Sequence, residues 1–321
     1  MDKTKIISVV MPTYNTELSM LKEAVESILN QTFCDFEFII IDDGSTNGSD
    51  EYLSSLQDKR IRIIRNPVCI GITKSLNIGL RAAKGKYIAR MDADDISLPT
   101  RFEKQYAYME VHPDIVMCGS YVQRFGLNAC LRKTRNMDKN LYRIKTLFYY
   151  PGPNHPTMFI RHSTLREYGI VYNENLLYSQ DYQLCADLGN AGRVYIIPEV
   201  LLRQRVHQSR VTISRYDIQK QYSMITQRKL LEGLLNNVSD EEAKLHYRYS
   251  YEKSFGSISD FFKCAAWYTK LIRANNRVHE YPRLKFALYA WTLLMLITVL
   301  SFQQKTAKRL SFLAAHSDKR A

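Results

Sequence analysis

The segment Lys86–Arg101, KYIARMDADDISLPTR, determines how we interpret the rest of the chain. Its first part, Tyr87–Met91, is apolar enough for a buried strand, and three carboxylates follow at Asp92, Asp94 and Asp95. Carboxylates this close repel one another and raise each other's pKa unless a cation lies among them. A divalent metal site at the end of a strand is therefore one interpretation. A solvated turn that leads into the next helix is the other.

Apolar runs alternate with helix-period stretches between residues 6 and 91. The runs predict strands at Ile6–Met11, Phe36–Ile41, Ile61–Arg65 and Tyr87–Met91. Strands that are apolar on both faces and joined through helices predict a mostly parallel central sheet with helices on each side. Polar residues follow every one of these strands, at 12–15, 42–45, 66–67 and 92–95. Because ligands bind at the carboxyl ends of parallel strands, we expect a ligand site at this edge.

The net charge of +13 is unevenly distributed. Residues 1–200 contain 24 Lys and Arg against 23 Asp and Glu, whereas residues 201–321 contain 21 against 9. A basic, aromatic-rich C-terminal part without a nucleic-acid-binding motif favours an anionic membrane surface as partner and argues against nucleic acid. Six isolated cysteines are typical of reduced thiols in the cytosol, and the N-terminal apolar run is too short for a signal peptide.

The pattern becomes helical after about residue 215. We therefore predict an α/β domain at residues 1–215 and a basic, membrane-associating helical extension at 216–321. The extension contains Phe286–Phe302, seventeen residues without a charge and with basic residues on both sides. This run predicts a helix that lies in the membrane interface, a helix that spans or re-enters the membrane, or a buried or dimer contact.

A nucleoside diphosphate needs a face for its base, acceptors for base and ribose, and a cation for its phosphates. Tyr14 offers an aromatic face, Asp43 could accept from a pyrimidine N3–H, and the aspartates at 92–95 can hold Mg²⁺ or Mn²⁺. Neither GxGxxG nor GxxxxGK[ST] occurs. The dinucleotide-binding and P-loop alternatives therefore lose their main support.

Seven strings, in order along residues 5–210, resemble the family 2 glycosyltransferases, which are nucleotide-sugar enzymes of the GT-A fold. The strings are SVVMPTYN (8–15), SILNQTF (27–33), IIIDDGSTNGS (39–49), GITKSLNIGLRAAKGKYIARMDADD (71–95), LPTRFEKQ (98–105), HPTMFIR (155–161) and SQDYQL (179–184). The resemblance implies an inverting hexosyltransferase that moves a hexose or N-acetylhexosamine from a UDP-sugar to an acceptor hydroxyl, with Mn²⁺ or Mg²⁺ as cofactor.

The resemblance also assigns the donor side of the site. Pro12, Tyr14 and Asp43 would hold the uridine. Lys74 and Asn77, on the helix that begins with the GIT string, would orient the base or the donor.

The remaining carboxylates receive roles in the same way. Asp92 or Asp94 would bind ribose or sugar hydroxyls, and Asp95 would bind the metal. Asp181 would be the general base, with Gln180 where the family often has a glutamate. An inverting transfer needs such a base across the sugar from the leaving UDP.

Four basic residues remain open between a site role and a structural one. His207 resembles the histidine of an Arg-x-His segment and would be a further metal ligand or diphosphate contact. Arg205 would steady the leaving diphosphate or cap a basic edge. His155 would meet a substrate hydroxyl or pack, and Arg90 would pair with one of the aspartates for a catalytic or a structural reason.

We expect the acceptor to be a lipid-diphosphate-linked saccharide at the cytoplasmic face of a bacterial plasma membrane, as in capsule or O-antigen assembly. A homodimer is open. The alternatives are a nucleotidyltransferase-like enzyme and a catalytically inactive membrane scaffold of a polysaccharide assembly complex.

Overall fold

The computed structural model describes residues 5–207, 216–253, 255 and 257–317. The chain forms two compact units, which we describe separately. Unit 1 comprises the described residues of Met1–Tyr142 and Pro151–Ser223, and unit 2 those of Arg143–Tyr150 and Met224–Ala321. The predicted boundary at residue 215 falls outside the described residues, so it stays a prediction.

Unit 1 is built on one mixed sheet. Its strands are β1 Ile7–Thr13, β2 Phe36–Asp42, β3 Ile61–Arg65, β4 Tyr87–Arg90, β5 Ile96–Ser97, β6 Ile115–Gly126, β7 Leu131–Arg132, β8 Phe159–Arg161 and β9 Arg193–Val206. The order across the sheet is β3-β2-β1-β4-β8-β6-β9-β5, and β7 pairs with β6. The strands from β3 to β4 are parallel, and β8 runs antiparallel to both of its neighbours. The predicted α/β architecture with a largely parallel core is thus confirmed.

Among the described residues, six helices of unit 1 connect the strands, and they are α1 Leu18–Leu29, α2 Ser49–Ser55, α3 Ile72–Ala82, α4 Arg101–Val111, α6 His162–Glu167 and α7 Gln180–Ala191. Two further helices, α5 Lys139–Phe148 and α8 Tyr216–Glu232, begin in unit 1 and end in unit 2. Side chains of β1, β2 and α1 contribute to a fully buried apolar core that includes Val9, Phe38 and Val25. Strand β9 is continuous over Arg193–Val206, and its pairing with β6 is irregular at Pro198–Glu199.

Strand β1 has an unequal pairing on its two sides. It pairs with β4 only over Ile7–Val10 but with β2 as far as Thr13. The Val10 carbonyl accepts from Met91 on the β4 side, and Pro12 faces the same side because alternate strand residues do. Pro12 has no N–H, so no backbone donor of this residue lacks a partner beyond the end of β4. Strands β2 and β4 lie on opposite sides of β1, and in a sheet of this order the carboxyl ends of β1 and β4 are where a ligand-binding crevice is expected.

Unit 2 is helical. In addition to the C-terminal parts of α5 and α8, it contains α9 Asp240–Tyr247, a π-helical turn at Arg248–Glu252, α10 Ile258–Val278 and α11 Arg283–Ser317. Capping boxes begin α9 at Ser239 and α10 at Ser257. Buried aromatic side chains, among them Trp267, Tyr268 and Phe286, form its core.

The apolar run predicted in the extension lies in α11. Among the described residues, Arg283–Gln303 is one helical segment that is long and apolar enough to cross a membrane, and 33% of it is buried inside the unit.

Candidate active site

Three aspartates follow β4 and lie together at the crevice. Oxygen atoms of Asp92, Asp94 and Asp95 all lie within 4.8 Å of one another. Asp95 is 1% exposed, whereas Asp92 and Asp94 are partly exposed. The three aspartates therefore form a cluster of carboxylate oxygens. Asp95 lies at its buried base, and Asp92 and Asp94 lie nearer the surface.

Two arginines underlie this cluster. Arg90, at the end of β4 and 3% exposed, forms an ion pair with Asp92. Arg101, at the start of α4, is fully buried and donates to the Arg90 carbonyl at 2.8 Å and to Gln105 Oε1 at 3.0 Å. Burial lowers the pKa of Arg101 to about 9. The guanidinium therefore remains charged at neutral pH and offsets part of the negative charge above it.

The end of β9 closes one side of the cluster. The Arg205 N–H donates to Asp95 Oδ1 at 2.8 Å, and Arg205 Nε donates to the Asp94 carbonyl at 3.0 Å. The Arg205 guanidinium also stacks 4.6 Å from the centre of the Phe125 ring. His207 Nε2 lies 2.9 Å from Asp94 Oδ2. The predicted residues Arg205 and His207 thus meet the aspartates directly, although more than a hundred positions separate them in sequence.

The donor set suits a hard divalent cation. Mg²⁺ and Mn²⁺ prefer carboxylate oxygen ligands, and three such groups converge here, with an imidazole nitrogen beside Asp94. The chemistry of these groups therefore fits the predicted metal. Asp95, at the buried base of the cluster, is placed to bind it.

Asp43, at the end of β2, holds the neighbouring loop. Its Oδ1 accepts from Asn66 Nδ2 at 2.7 Å and from the Ile70 N–H at 3.0 Å. Its Oδ2 accepts from the Gly71 N–H at 2.8 Å and from Cys69 Sγ at 3.3 Å. Burial acts to raise the pKa of Asp43, but these hydrogen bonds prevail and the pKa is lowered. All four acceptor positions of this carboxylate are engaged.

The other predicted uridine contacts surround this loop. Tyr14 is 51% exposed at the end of β1, directly after the buried residues Pro12 and Thr13. The turn after Asp43 requires Gly44, because its φ is +78° and a Cβ would meet the Val68 backbone at 2.9 Å. Tyr14 thus presents an open aromatic face beside the Asp43-bound loop.

Helix α3 places its two predicted donor contacts differently. Lys74 is exposed. Asn77 is buried, donates to the Tyr172 carbonyl at 2.8 Å and to Glu174 Oε1 at 3.0 Å, and accepts from the Tyr172 N–H at 3.0 Å. Its amide therefore fixes the segment before α7. The donor-orienting role of Lys74 and Asn77 stays a prediction.

Asp181 lies in the first turn of α7 and is partly exposed. Burial raises its pKa above the usual value, a shift that Asp92 increases and that Arg90 and the N–H groups of Asp181 and Tyr182 oppose. The carboxylate is thus a stronger base than a solvated aspartate. It lies within electrostatic reach of the residues at the end of β4.

His155 and Tyr172 border the same region. His155 Nε2 lies 2.8 Å from the Tyr172 hydroxyl. Burial, with a further contribution from Arg90, holds the pKa of His155 well below its usual value, so the ring is neutral at neutral pH. The sequence carries no signal for Tyr172 because no motif surrounds it. Arg101 belongs to the LPTRFEKQ string, and only its burial reveals its place beneath the aspartates.

Comparison with known proteins identifies the family. A model of glycosyl transferase family 2 matches residues 8–169. The chain belongs to this family. A glycosyltransferase of Methanocaldococcus jannaschii is 40% identical over 232 residues, which cover 70% of this chain and 79% of that protein. The amylovoran biosynthesis glycosyltransferase AmsE of Erwinia amylovora is 31% identical over 219 residues, 65% of this chain and 80% of AmsE.

Solved structures agree with this assignment. The TarS fragment 1–349 of S. aureus, determined with UDP-GlcNAc, gives a TM-score of 0.63 at 16% identity and covers 94% of this chain and 92% of its own. The mannosyltransferase PcManGT of Pyrobaculum calidifontis, determined with GDP-Man and Mn²⁺, gives 0.55 at 14% identity and covers 95% and 89%. These likenesses confirm the GT-A fold, and the family assignment makes the chain a glycosyltransferase.

Proposed function

We propose that this enzyme transfers a hexose or N-acetylhexosamine from a UDP-sugar to a hydroxyl of a saccharide acceptor, with inversion at the anomeric carbon. The observation that carries the proposal is that Arg90 interacts with two carboxylates from different parts of the chain. It pairs with Asp92 at the end of β4 and also acts electrostatically on Asp181 at the start of α7. The donor-side aspartates and a separate, more basic carboxylate therefore border one region, as an inverting transfer requires.

In the transfer, Asp181 takes the proton of the acceptor hydroxyl. The hydroxyl oxygen then forms the new bond to the anomeric carbon, and the bond from that carbon to the diphosphate oxygen breaks on the opposite face. The raised pKa of Asp181 favours this role because the carboxylate binds a proton more readily than a solvated one, and the charge of Arg90 opposes the rise.

The uridine would lie between Tyr14 and the loop that Asp43 holds. Tyr14 supplies the aromatic face, and Pro12 lines the open side of β1. Because Asp43 already accepts four hydrogen bonds, a pyrimidine N3–H would take the place of the thiol of Cys69, the weakest of the four donors. UDP as the nucleotide is supported by TarS, which was solved with UDP-GlcNAc.

The diphosphate would meet the cluster after β4. Asp95, with Asp92 or Asp94, would hold Mn²⁺ or Mg²⁺, and His207 would bind the metal or orient Asp94. When bound, the cation supplies the positive charge that neutralises the leaving diphosphate. PcManGT, solved with Mn²⁺, supports a metal in this fold. Arg205 would add a guanidinium at the same edge.

The biological setting is a cell-surface polysaccharide. AmsE, named for amylovoran biosynthesis, supports this assignment. We propose a lipid-diphosphate-linked acceptor at the cytoplasmic face of a bacterial plasma membrane, and a homodimer remains compatible with this setting. Membership of family 2 argues against the nucleotidyltransferase alternative. The inactive scaffold would predict no turnover.

Calorimetric titration of the full chain with UDP, with and without Mn²⁺, tests the site. We expect metal-dependent binding that Asp95→Ala abolishes and that Asp114→Ala, an exposed aspartate on the same unit, leaves intact. Binding that does not need the metal, or that survives Asp95→Ala, would contradict the assignment. Failure of both nucleotide binding and turnover in the wild type would also contradict it.

A further inference from the structure

Helix α11 has two apolar sides. One side lies in the core of unit 2 and includes Phe286, Ala290, Leu293, Leu294 and Ile297. The other is exposed and consists of Leu284, Leu288, Trp291, Met295, Val299 and Phe302. These six residues are separated by three or four positions, so they form one continuous stripe along the helix. We call this set the α11 stripe.

The exposure of the stripe is high for apolar side chains. Leu284 is 74% exposed, Met295 70% and Phe302 73%. Scattered apolar residues are ordinary on protein surfaces, but a contiguous row of this kind marks a binding surface. Unit 2 itself does not cover the stripe within the described residues.

The charges of α11 indicate an anionic partner. The helix Arg283–Ser317 contains five basic residues, Arg283, Lys285, Lys305, Lys308 and Arg309, and no aspartate or glutamate. Basic residues thus precede and follow the apolar stretch. A second copy of the chain would bring basic helix ends together in a parallel or an antiparallel pairing, and no acidic residue of the helix would offset their repulsion. An anionic membrane surface complements both the charge and the apolar stripe.

Helix α10 argues against a membrane-spanning arrangement. It precedes α11 by four residues, and at the other end the Phe255 N–H donates to Ser301 Oγ at 2.7 Å. The two helices therefore run antiparallel along each other. If α11 crossed the bilayer, α10 would enter with it and carry in its charged side chains, which are Asp260, Lys263, Lys270, Arg273 and Arg277. Charged side chains at the bilayer centre are strongly disfavoured.

We propose that α11 lies parallel to the surface of an anionic bilayer, with its stripe at the boundary between headgroups and acyl chains and with Arg283 and Lys285 against the headgroups. This inference rests on the proposed function only because a lipid-linked acceptor would require the enzyme to work at a membrane. Vesicle binding needs neither nucleotide nor turnover, so the two proposals can fail separately.

Sedimentation with vesicles tests the partner. The nucleotide-free full chain is mixed with vesicles of phosphatidylcholine alone or with an equal part of phosphatidylglycerol. We expect binding to the anionic vesicles that weakens with salt. The double variant Leu288→Glu/Met295→Glu should bind about tenfold more weakly or worse, because two apolar side chains no longer insert. Val111→Glu, at a 71% exposed apolar position of unit 1, is the matched control and should bind normally, as should Asp95→Ala.

The two tryptophans of the chain report the depth of α11. Trp291 is 43% exposed on the stripe, whereas Trp267 is 4% exposed in the core. The difference in fluorescence between the wild type and Trp291→Phe isolates Trp291. We expect lipids brominated near the headgroup to quench it more than lipids brominated near the chain end.

Three outcomes would overturn the proposal. Stronger quenching by deeply brominated lipid would mean that α11 spans the bilayer, since Trp291 lies near the middle of Arg283–Gln303. Equal binding of wild type and stripe variant would place the membrane contact elsewhere. No vesicle binding, together with a dimer in sedimentation velocity that the stripe variant converts to monomer, would mean that a second copy covers the stripe.

Discussion

The backbone N–H of Gly71 donates to Asp43 Oδ2 across 2.8 Å and so joins the end of β2 to the start of α3. The Asp43 side chain is 3% exposed and also binds Ile70 and Asn66. Asp43→Ala would leave these donors buried without an acceptor. We expect the free energy of unfolding to fall by about 3 kcal/mol, as measured by urea denaturation.

The pH dependence of this loss follows from the lowered pKa of Asp43. A carboxyl group whose pKa is lower in the folded state stabilises the protein above its unfolded pKa of about 3.8, and the contribution is lost as pH falls through the folded value. The difference between wild type and variant should therefore shrink in acid. Asp35→Ala, at an exposed ion pair, is the control and should change stability by less than about 1 kcal/mol. A similar loss in both variants would show that the Asp43 contacts contribute little.

Asp181→Asn should separate catalysis from donor binding. Because asparagine cannot accept the proton of the acceptor hydroxyl, we expect kcat to fall by about 10²–10⁴-fold while the affinity for UDP is unchanged. Asp187→Asn makes the same change later in α7 and should retain activity. Full activity of Asp181→Asn would remove Asp181 from the mechanism, and lost UDP affinity would place it in the donor site.

The acid limb of the pH–rate profile should report Asp181. The base must be ionised, so kcat/KM declines as the pH falls through the pKa of Asp181. Because this pKa is raised, we expect the decline at a higher pH than for an ordinary aspartate. Arg90 opposes the shift, and removal of its charge in Arg90→Gln should move the limb to still higher pH. If the Arg90→Gln variant folds and binds UDP but its acid limb lies at the wild-type pH, the interaction of Arg90 with Asp181 does not determine that limb.

His246 links the stability of unit 2 to pH. It is fully buried, its Nε2 lies 2.8 Å from the Leu147 carbonyl, and its Nδ1 accepts from Trp267 Nε1 at 3.1 Å. Burial lowers the pKa of His246 to about 4, although the hydrogen bond to Leu147 opposes that shift. The unfolded chain takes up a proton below pH of about 6.5, whereas the folded chain does so only near 4.

Unit 2 should therefore lose about 3 kcal/mol of stability as pH falls from 6.5 towards 4. The fluorescence of buried Trp267 can follow its unfolding. His246→Gln should flatten this dependence, and His112→Gln in unit 1 should leave it unchanged. A slope that persists in His246→Gln would assign the acid sensitivity to other groups.

The strand and helix pattern of unit 1 was predictable because each element carries its own periodicity. The apolar runs ending at Met11, Ile41, Arg65 and Met91 all became strands of the sheet, and the polar residues after Met91 formed the predicted aspartate cluster. These features depend on residues that are close in sequence. They survive folding because the carboxyl ends of parallel strands must meet at one edge.

The supporting contacts could not be predicted in the same way. The bond from the Arg205 N–H to Asp95 joins residues 110 positions apart and depends on the path of β9. The bond between His155 and Tyr172 depends on the loop before α7, which has no periodicity. Arg101 reads as an ordinary basic residue of a surface helix, and only the packing of α4 against the sheet makes it fully buried.

Pro12 offers a chemical reason why the ladder between β1 and β4 ends where it does. Its nitrogen carries no hydrogen, so it cannot donate a ladder hydrogen bond on the β4 side, whatever side chains surround it. The end of the ladder between β1 and β4 is thus favoured by the covalent structure of one residue and does not depend on the side chains packed around it.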